Sequence, residues 1–364
     1  MKSISKKYSQ KITHNYKQVF LISWRKHPLV PLFKTFGVLA ILLISLSTNS
    51  FAQKARLEKT ISEKYTVSKS DKLLIDNRFG EVVIRTWDKK EITVDITIEG
   101  YGKNENQAKE MLNKVEIDYG KSGGEISFIT RIDKKNNSWS NNGKSGYEIN
   151  YVVNMPKSNP LDLTNKYGST QLDDFDGKLK LVIGYGKINA GNLGSNEVDI
   201  LVKYSKATFK DISGGKLELR YSGGTSIGKV GTIELSDKYG GVSIEEAESV
   251  DAEIAYSSLK VQTLAKELKL DSRYSGCKIY EVQEGFESVD VSTSFGSCTI
   301  GFQPNADFDF YATAKFGGFK NSLSNTDIRK EISKNNSTEV EGTHGKSGKA
   351  KVRVSASFGS IIFE

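Results

Sequence analysis

Between Leu217 and Ile227, apolar residues hold alternate positions (Leu217, Leu219, Tyr221) with Glu218 and Arg220 between them, and the pattern breaks at Ser222-Gly223-Gly224 before restarting. This is the pattern of a half-buried strand running into a corner. The unit recurs. An aromatic followed by Gly or Ser stands at Tyr167, Tyr185, Tyr204, Tyr221, Tyr239, Tyr256, Tyr274, Phe295, Phe316 and Phe358, in steps of 17 to 21 residues and a last step of 42, twice 21. With the aromatic as position zero, apolar residues fall at minus six, minus four and often minus two, then at plus three, plus five and plus eight. Tyr204 has Val198, Ile200, Val202, Ala207, Phe209 and Ile212; Tyr256 has Val250, Ala252, Ile254, Leu259, Val261 and Leu264. The change from even to odd offsets requires a bulge or corner, and Gly or Ser sits there to permit a strained or closely approached backbone. Strand parity puts the aromatic with the aliphatics, so it is expected to point inward. One coil cannot bury its apolar side alone, and the period therefore predicts an all-β fold: a parallel β-solenoid with about 18 residues per coil and an internal aromatic ladder.

Residues 53–156 read as a less regular β-rich region with one short helix. Leu73, Ile75, Asn77 and Phe79 alternate, and Val82, Ile84 and Trp87 follow the aromatic at plus three, plus five and plus eight, so Trp87 is expected to fill the interior position that Phe175 and Leu264 take elsewhere. Asn104 with Gln107 resembles a capping box, and Ala108, Met111, Leu112 and Val115 share a helical face. The segment Lys134 to Gly146 reads as an exposed loop carrying Trp139, either a ligand platform or a ring folded back on its own domain. Residues 157–364 form the repeat domain, with a polar, flexible excursion expected at 321–349. The chain ends on a repeat strand, whose open edge calls for cover by the excursion or by another chain.

Charge changes the picture only once it is located. The formal net charge is +8, but residues 1–52 carry eight cations and no Asp or Glu, which leaves 44 basic against 44 acidic residues in the body. That neutrality removes the electrostatic case for nucleic acid. The first 52 residues have the order of an export signal: a basic region, an apolar core from Phe36 to Leu46, and Ser50-Phe51-Ala52 suited to cleavage after Ala52. The alternative is an uncleaved membrane anchor, since the apolar run stretches to about 17 residues, the lower limit for a span. Cys277 and Cys298 each stand three residues past an aromatic and are expected to stack on neighbouring coils, either bridged or as two buried thiols.

Catalytic chemistry finds little purchase. The body has one histidine, His344, in a Gly-rich stretch where nothing in the sequence fixes its orientation, and histidine-cluster metal sites are excluded by count. Gly345-Lys346-Ser347 ends like a phosphate loop but has Val340 where the first glycine belongs. The acidic corners Asp173, Asp174, Asp176 and Glu245, Glu246, Glu248, Asp251 follow no calcium spacing and read as solvated turns. The sequence predicts no cofactor, no metal and no catalytic residue. What it does offer is a cation before the aromatic: Arg78, Lys166, Lys203, Arg220, Lys238, Arg273 and Lys315 have outward parity and form a basic column if the coils stack in register. Glu218, Asp199 and Glu253 lie on nearby outward positions and are able to neutralise it.

The run Ile75 to Ile84, the segment Leu161 through Leu172 and the aromatic-Gly or aromatic-Ser corners to Phe358-Gly359 resemble the bacterial exported β-strand-repeat family described as adhesin-like, over residues 70 to 364. The resemblance implies a cell-envelope protein with a β-solenoid-like fold and supplies no catalytic residues. The long leader and the 321–349 excursion depart from it. The expected function is a non-enzymatic exported surface or periplasmic interaction protein, with a surface glycan or an envelope protein as partner. The alternatives are a solenoid-type polysaccharide-acting enzyme, which needs a paired acid and base on one face, and an envelope regulatory factor anchored in the membrane by the leader.

Overall fold

The computed structural model describes residues 10–11, 55–133, 145–348 and 350–364. The export signal or anchor, its cleavage after Ala52, and Trp139 lie outside the described residues. The fold is all-β with one helix among them, Glu105–Asn113. Asn104 caps this helix, its Oδ1 accepting from the Gln107 N–H at 2.9 Å; the Gln107 side chain reaches back to the Lys103 N–H rather than to that of Asn104. Ala108, Met111 and Leu112 are its buried face.

From Leu161 to Val282 each strand lies parallel to its counterpart one period later. Before the corner, Leu161–Lys166, Leu179–Gly184 and Val198–Lys203 pair in sequence, followed by the second halves of the long strands Lys206–Arg220, Thr225–Lys238, Val242–Ala255 and Ser258–Arg273. After the corner, Ser169–Leu172, Lys187–Leu193 and the first halves of the same long strands pair likewise. Register keeps the offsets together: Leu161 faces Leu179 and Leu179 faces Val198, while Thr170 faces Ile188 and Ile188 faces Ala207. The apolar offsets are buried in one continuous core. The coil after Tyr221 carries one inserted residue: Gly224 takes φ 76, Thr225 and Ile227 are buried, and Ile227 pairs with Phe209 of the preceding coil.

The sheet is mixed, and an array parallel throughout is not what forms. Antiparallel strands close both ends. At the first end, Lys72–Arg78 pairs in parallel with Leu161–Lys166 and with Glu125–Ile132, and the latter turns back antiparallel on Val115–Ser122. Gly146–Pro156 pairs in parallel with Val82–Trp87 and antiparallel with Glu91–Gly102, which in turn pairs antiparallel with Ala55–Thr66. At the other end, residues 321–349, expected as a flexible excursion, contain a hairpin. Its strand Ser337–His344 lies antiparallel on Phe308–Lys315, and Thr326–Lys334 forms the outer edge. The last long strand, Ala350–Ser357, then inserts between Ser288–Ser294 and Phe308–Lys315, parallel to both. The terminal strand is therefore interior, and the hairpin covers the edge of the preceding coil.

Two interior expectations fail. Trp87 is only half-buried, its Nε1 donating to the Glu91 carbonyl at 2.8 Å, because the chain leaves the coil there to form Glu91–Gly102; Phe175 and Leu264 are buried as expected. More consequentially, the corner aromatics point outward. All eleven, Phe79 included, have φ between 50 and 62, and the ten from Tyr167 onward are about half exposed. A left-handed residue reverses the alternation, so the ring that parity assigns to the core swings to solvent and the following Gly or Ser turns in. This one residue is the source of the even-to-odd change in offsets.

An aromatic corner ridge as the candidate interaction surface

Each corner is built from the backbone upward. The aromatic N–H donates to the carbonyl of the residue before the next aromatic in the stack, as from Tyr167 to Gly184 at 2.8 Å and from Tyr185 to Lys203 at 3.0 Å. The next residue has almost no room: a Cβ on Gly168 would stand 1.7 Å from the Gly80 carbonyl oxygen. Where serine takes this place it serves as a linker. Ser205 Oγ donates to the Lys203 carbonyl at 2.7 Å and accepts from the Gly186 N–H at 3.0 Å, and Ser275 Oγ repeats this with Arg273 and Ser257.

The rings themselves stack face to face in the order Phe79, Tyr167, Tyr185, Tyr204, Tyr221, Tyr239, Tyr256, Tyr274, Phe295, Phe358, Phe316, with centroids 4.7 to 5.1 Å apart and planes within 11°. Tyr147 closes the first end edge-on at 5.5 Å. A bulky residue at positive φ costs about 1–2 kcal/mol. A stacked aromatic pair contributes about 0.5–1.5 kcal/mol beyond its buried area. Each rung adds roughly one of each, so stacking offsets much of the strain at each corner.

The predicted cations flank this ridge. Arg78 faces Lys166, and Lys203, Arg220 and Lys238 are successive register partners; Gly184 separates Lys166 from Lys203, Ala255 separates Lys238 from Arg273, and Ser294 with Ser357 separates Arg273 from Lys315. The seven thus fall in one column with four gaps. Arg220 is paired with Glu218, and Arg273 lies 3.5 Å from Asp271. Lys166, Lys203, Lys238 and Lys315 make no ion pair among the described residues. On the far side of the ridge, at plus two, Lys187 and Lys206 are direct register partners, also without an ion pair among the described residues. The sequence reading missed these two lysines because it treated the aromatic as buried, which hid that the plus-two residues border the same surface.

The outward column at minus five mixes both signs and pairs within itself: Lys216 with Glu234 at 2.7 Å and Lys269 with Asp251 at 2.9 Å. An open cleft of about 1060 Å³ lies over this face, lined by Glu197, Asp199, Glu234, Glu248 and Asp251 among others. Except for Asp199 these carboxylates hold lysines, and the Lys266 ammonium beside Glu248 pulls its carboxyl below the usual range. The acidic corner at Asp174 is satisfied likewise, by the Asn192 N–H at 2.8 Å and side-chain amide at 2.9 Å, and Asp176 by Lys157 at 2.7 Å.

Cys277 and Cys298 are register partners and both are buried free thiols; the hydrogen bond between them and burial push the Cys298 thiol well up. His344 is held after all, buried against Phe308 with Nδ1 3.4 Å from Thr326 Oγ1. No group of three or more metal-ligating side chains occurs among the described residues, and no helix of theirs is long and apolar enough to cross a membrane.

Fold and surface together define an all-β repeat protein with an exposed aromatic ridge. No family model matches the chain, and no curated protein matches it. Solved structures aligning with 84% of it include a candidate cell adhesion protein from Clostridium sporogenes (12% identity, 98% of that chain, TM-score 0.17) and a candidate adhesin from Bacteroides fragilis (12% identity, 97% of that chain, TM-score 0.29). A candidate lipid-binding protein from Parabacteroides distasonis is similar at 11% identity over 84% of this chain and 96% of its own, with a TM-score of 0.30. Likeness at this level fixes neither a family nor a site.

Proposed function

We propose that the chain is a non-enzymatic, adhesin-like interaction protein exported to the bacterial cell envelope, in which the repeats stack as a β-solenoid and the aromatic ridge is the binding surface. The observation that carries this reading is the stack of eleven rings, ten of them about half exposed. A soluble surface rarely retains so much contiguous exposed aromatic area without a partner. Carboxylates engaged by lysines, rather than one held protonated beside one ionised, support binding over hydrolysis. The ridge is periodic, so it suits an extended partner with a repeat of its own.

The test is a glycan and envelope-component array probed with the full-length chain and with a variant carrying Tyr185→Gly, Tyr204→Gly and Tyr221→Gly, which removes three rings while keeping a residue suited to positive φ. Binding that disappears in the variant, with circular dichroism unchanged, is the expected result. Equal binding by both chains, or release of shortened glycan, overturns the reading.

A further inference from the structure

The ridge has one stretch where its charge is concentrated and unanswered. Around the rungs Tyr185 and Tyr204, Lys166 and Lys203 stand on one side and Lys187 and Lys206 on the other, all four without an ion pair among the described residues. Lys187 and Lys206 face each other on adjacent parallel strands, about 4.8 Å apart at the backbone. Like charges so placed destabilise a sheet. In the minus-five column, the opposite-signed neighbours Lys216 and Glu234 pair, as do Asp251 and Lys269. Gly184 leaves the position between Lys166 and Lys203 without a side chain, and only Lys166 Cγ, at 3.6 Å, borders the place where a Cβ would stand. The result is a small notch between two cations, beside a ring.

Stacking dictates what such a surface recognises. Within the ladder each ring face is covered by its neighbours, so a sugar cannot lie flat on one; what remains are ring edges, the positive rim of the aromatic quadrupole, and a row of tyrosine hydroxyls. Edges and lysines favour anionic groups, while hydroxyls at the rung spacing exchange hydrogen bonds with other hydroxyls. We infer that Lys166, Lys187, Lys203 and Lys206, around Tyr185 and Tyr204, form a recognition site for an acidic polysaccharide lying along the ridge, with a carboxylate seated over Gly184. The inference rests on the ridge being the binding surface.

The experiment measures binding of the full-length chain to polygalacturonate, with dextran, polyphosphate and phosphatidylglycerol vesicles alongside. Polygalacturonate is expected to bind, more weakly as salt rises, and dextran is not. The pairs Lys166→Gln with Lys203→Gln and Lys187→Gln with Lys206→Gln should each lower affinity roughly tenfold or more by removing local field. Gly184→Asp, which supplies a resident carboxylate, should do the same. The pair Lys238→Gln with Lys315→Gln, on the same ridge, should change it little. The Lys187/Lys206 variant should melt no lower than the parent, which separates lost recognition from lost fold. Absence of polygalacturonate binding overturns the inference, as does equal loss in the Lys238/Lys315 variant, binding of dextran as tight as that of polygalacturonate, or tighter binding of polyphosphate or vesicles. If instead the three-ring variant binds every polymer as the parent does, the ridge reading itself fails.

Discussion

An aromatic residue at positive φ is strained on its own, and eleven in register require something that holds them there. Stacking supplies it, which makes a sharp contrast between two truncations at one rung. Tyr221→Ala loses the contacts to Tyr204 and Tyr239 and keeps the left-handed strain, whereas Tyr221→Gly loses the same contacts and releases the strain. The glycine variant should therefore be the more stable of the two by roughly 1 kcal/mol, read by urea denaturation; an alanine variant as stable as the glycine one would remove the account of the corner. A second residue-scale consequence lies inside. Asp237 is fully buried at minus two, between Leu219 and Ile254, with Oδ2 accepting from Ser257 Oγ and Oδ1 unpartnered. Burial pushes its carboxyl up. A raised acid stabilises the fold fully only below its unfolded pKa of about 3.9, and that contribution is lost as pH rises toward the folded value, because the unfolded chain releases the proton first. Asp237→Asn should thus gain stability over the parent between about pH 4 and neutrality, by roughly 1–3 kcal/mol at pH 7 for relief of a poorly satisfied buried carboxyl. Melts at both pH values check this, and a pH-independent difference would contradict it.

At the scale of elements, the hairpin Thr326–Lys334/Ser337–His344 stands between a fully formed coil and solvent. Its inner strand buries His344 opposite Phe308 and Val340 opposite Ala312, and its outer strand carries Asp327, Arg329, Lys330, Glu331 and Lys334 along the exposed edge. Charges on an edge oppose pairing with another chain. The Gly345 N–H donates to the Asn325 carbonyl at 3.0 Å, so the base of the hairpin is closed and residues 326–344 can be excised with little strain at the junction. That deletion uncovers the edge of Phe308–Lys315, and the shortened chain should self-associate with rising concentration in light scattering; a monomer would show that the hairpin is not the cover. The repeat strands were legible in the sequence because each carries its own period, and the corner was legible as a change of parity. The direction of the ring was not, since one backbone dihedral reverses it without altering the spacing. Nor was the insertion of Ala350–Ser357: the step of 42 residues shows that a coil is delayed, but only pairing shows that the returning strand goes between two coils, so that Phe358 stacks on Phe295 before Phe316. Of the candidate surface, the basic column was visible, while Lys187 and Lys206 joined it only when the ring turned outward.

For the whole molecule, the pairing pattern sets how stability is shared. Each coil between Leu161 and Phe302 pairs with the one before and the one after. In such an array stability is close to a sum of local terms and nearest-neighbour interfaces. A defect in the middle should therefore loosen its own coil and the adjoining ones while leaving the antiparallel ends intact. Leu219 is fully buried at minus two in the coil between those of Val202 and Asp237, and Leu219→Ala should cost about 2–5 kcal/mol as a core truncation. Hydrogen exchange followed by mass spectrometry distinguishes the two ways of distributing that loss. Faster exchange confined to the strands from Val198–Lys203 to Val242–Ala255, with Glu91–Gly102 and Ser337–His344 protected as in the parent, is the expected outcome. A uniform rise over the whole chain would mean that the ends and the middle unfold together, and that the ridge is held by global cooperativity and not rung by rung.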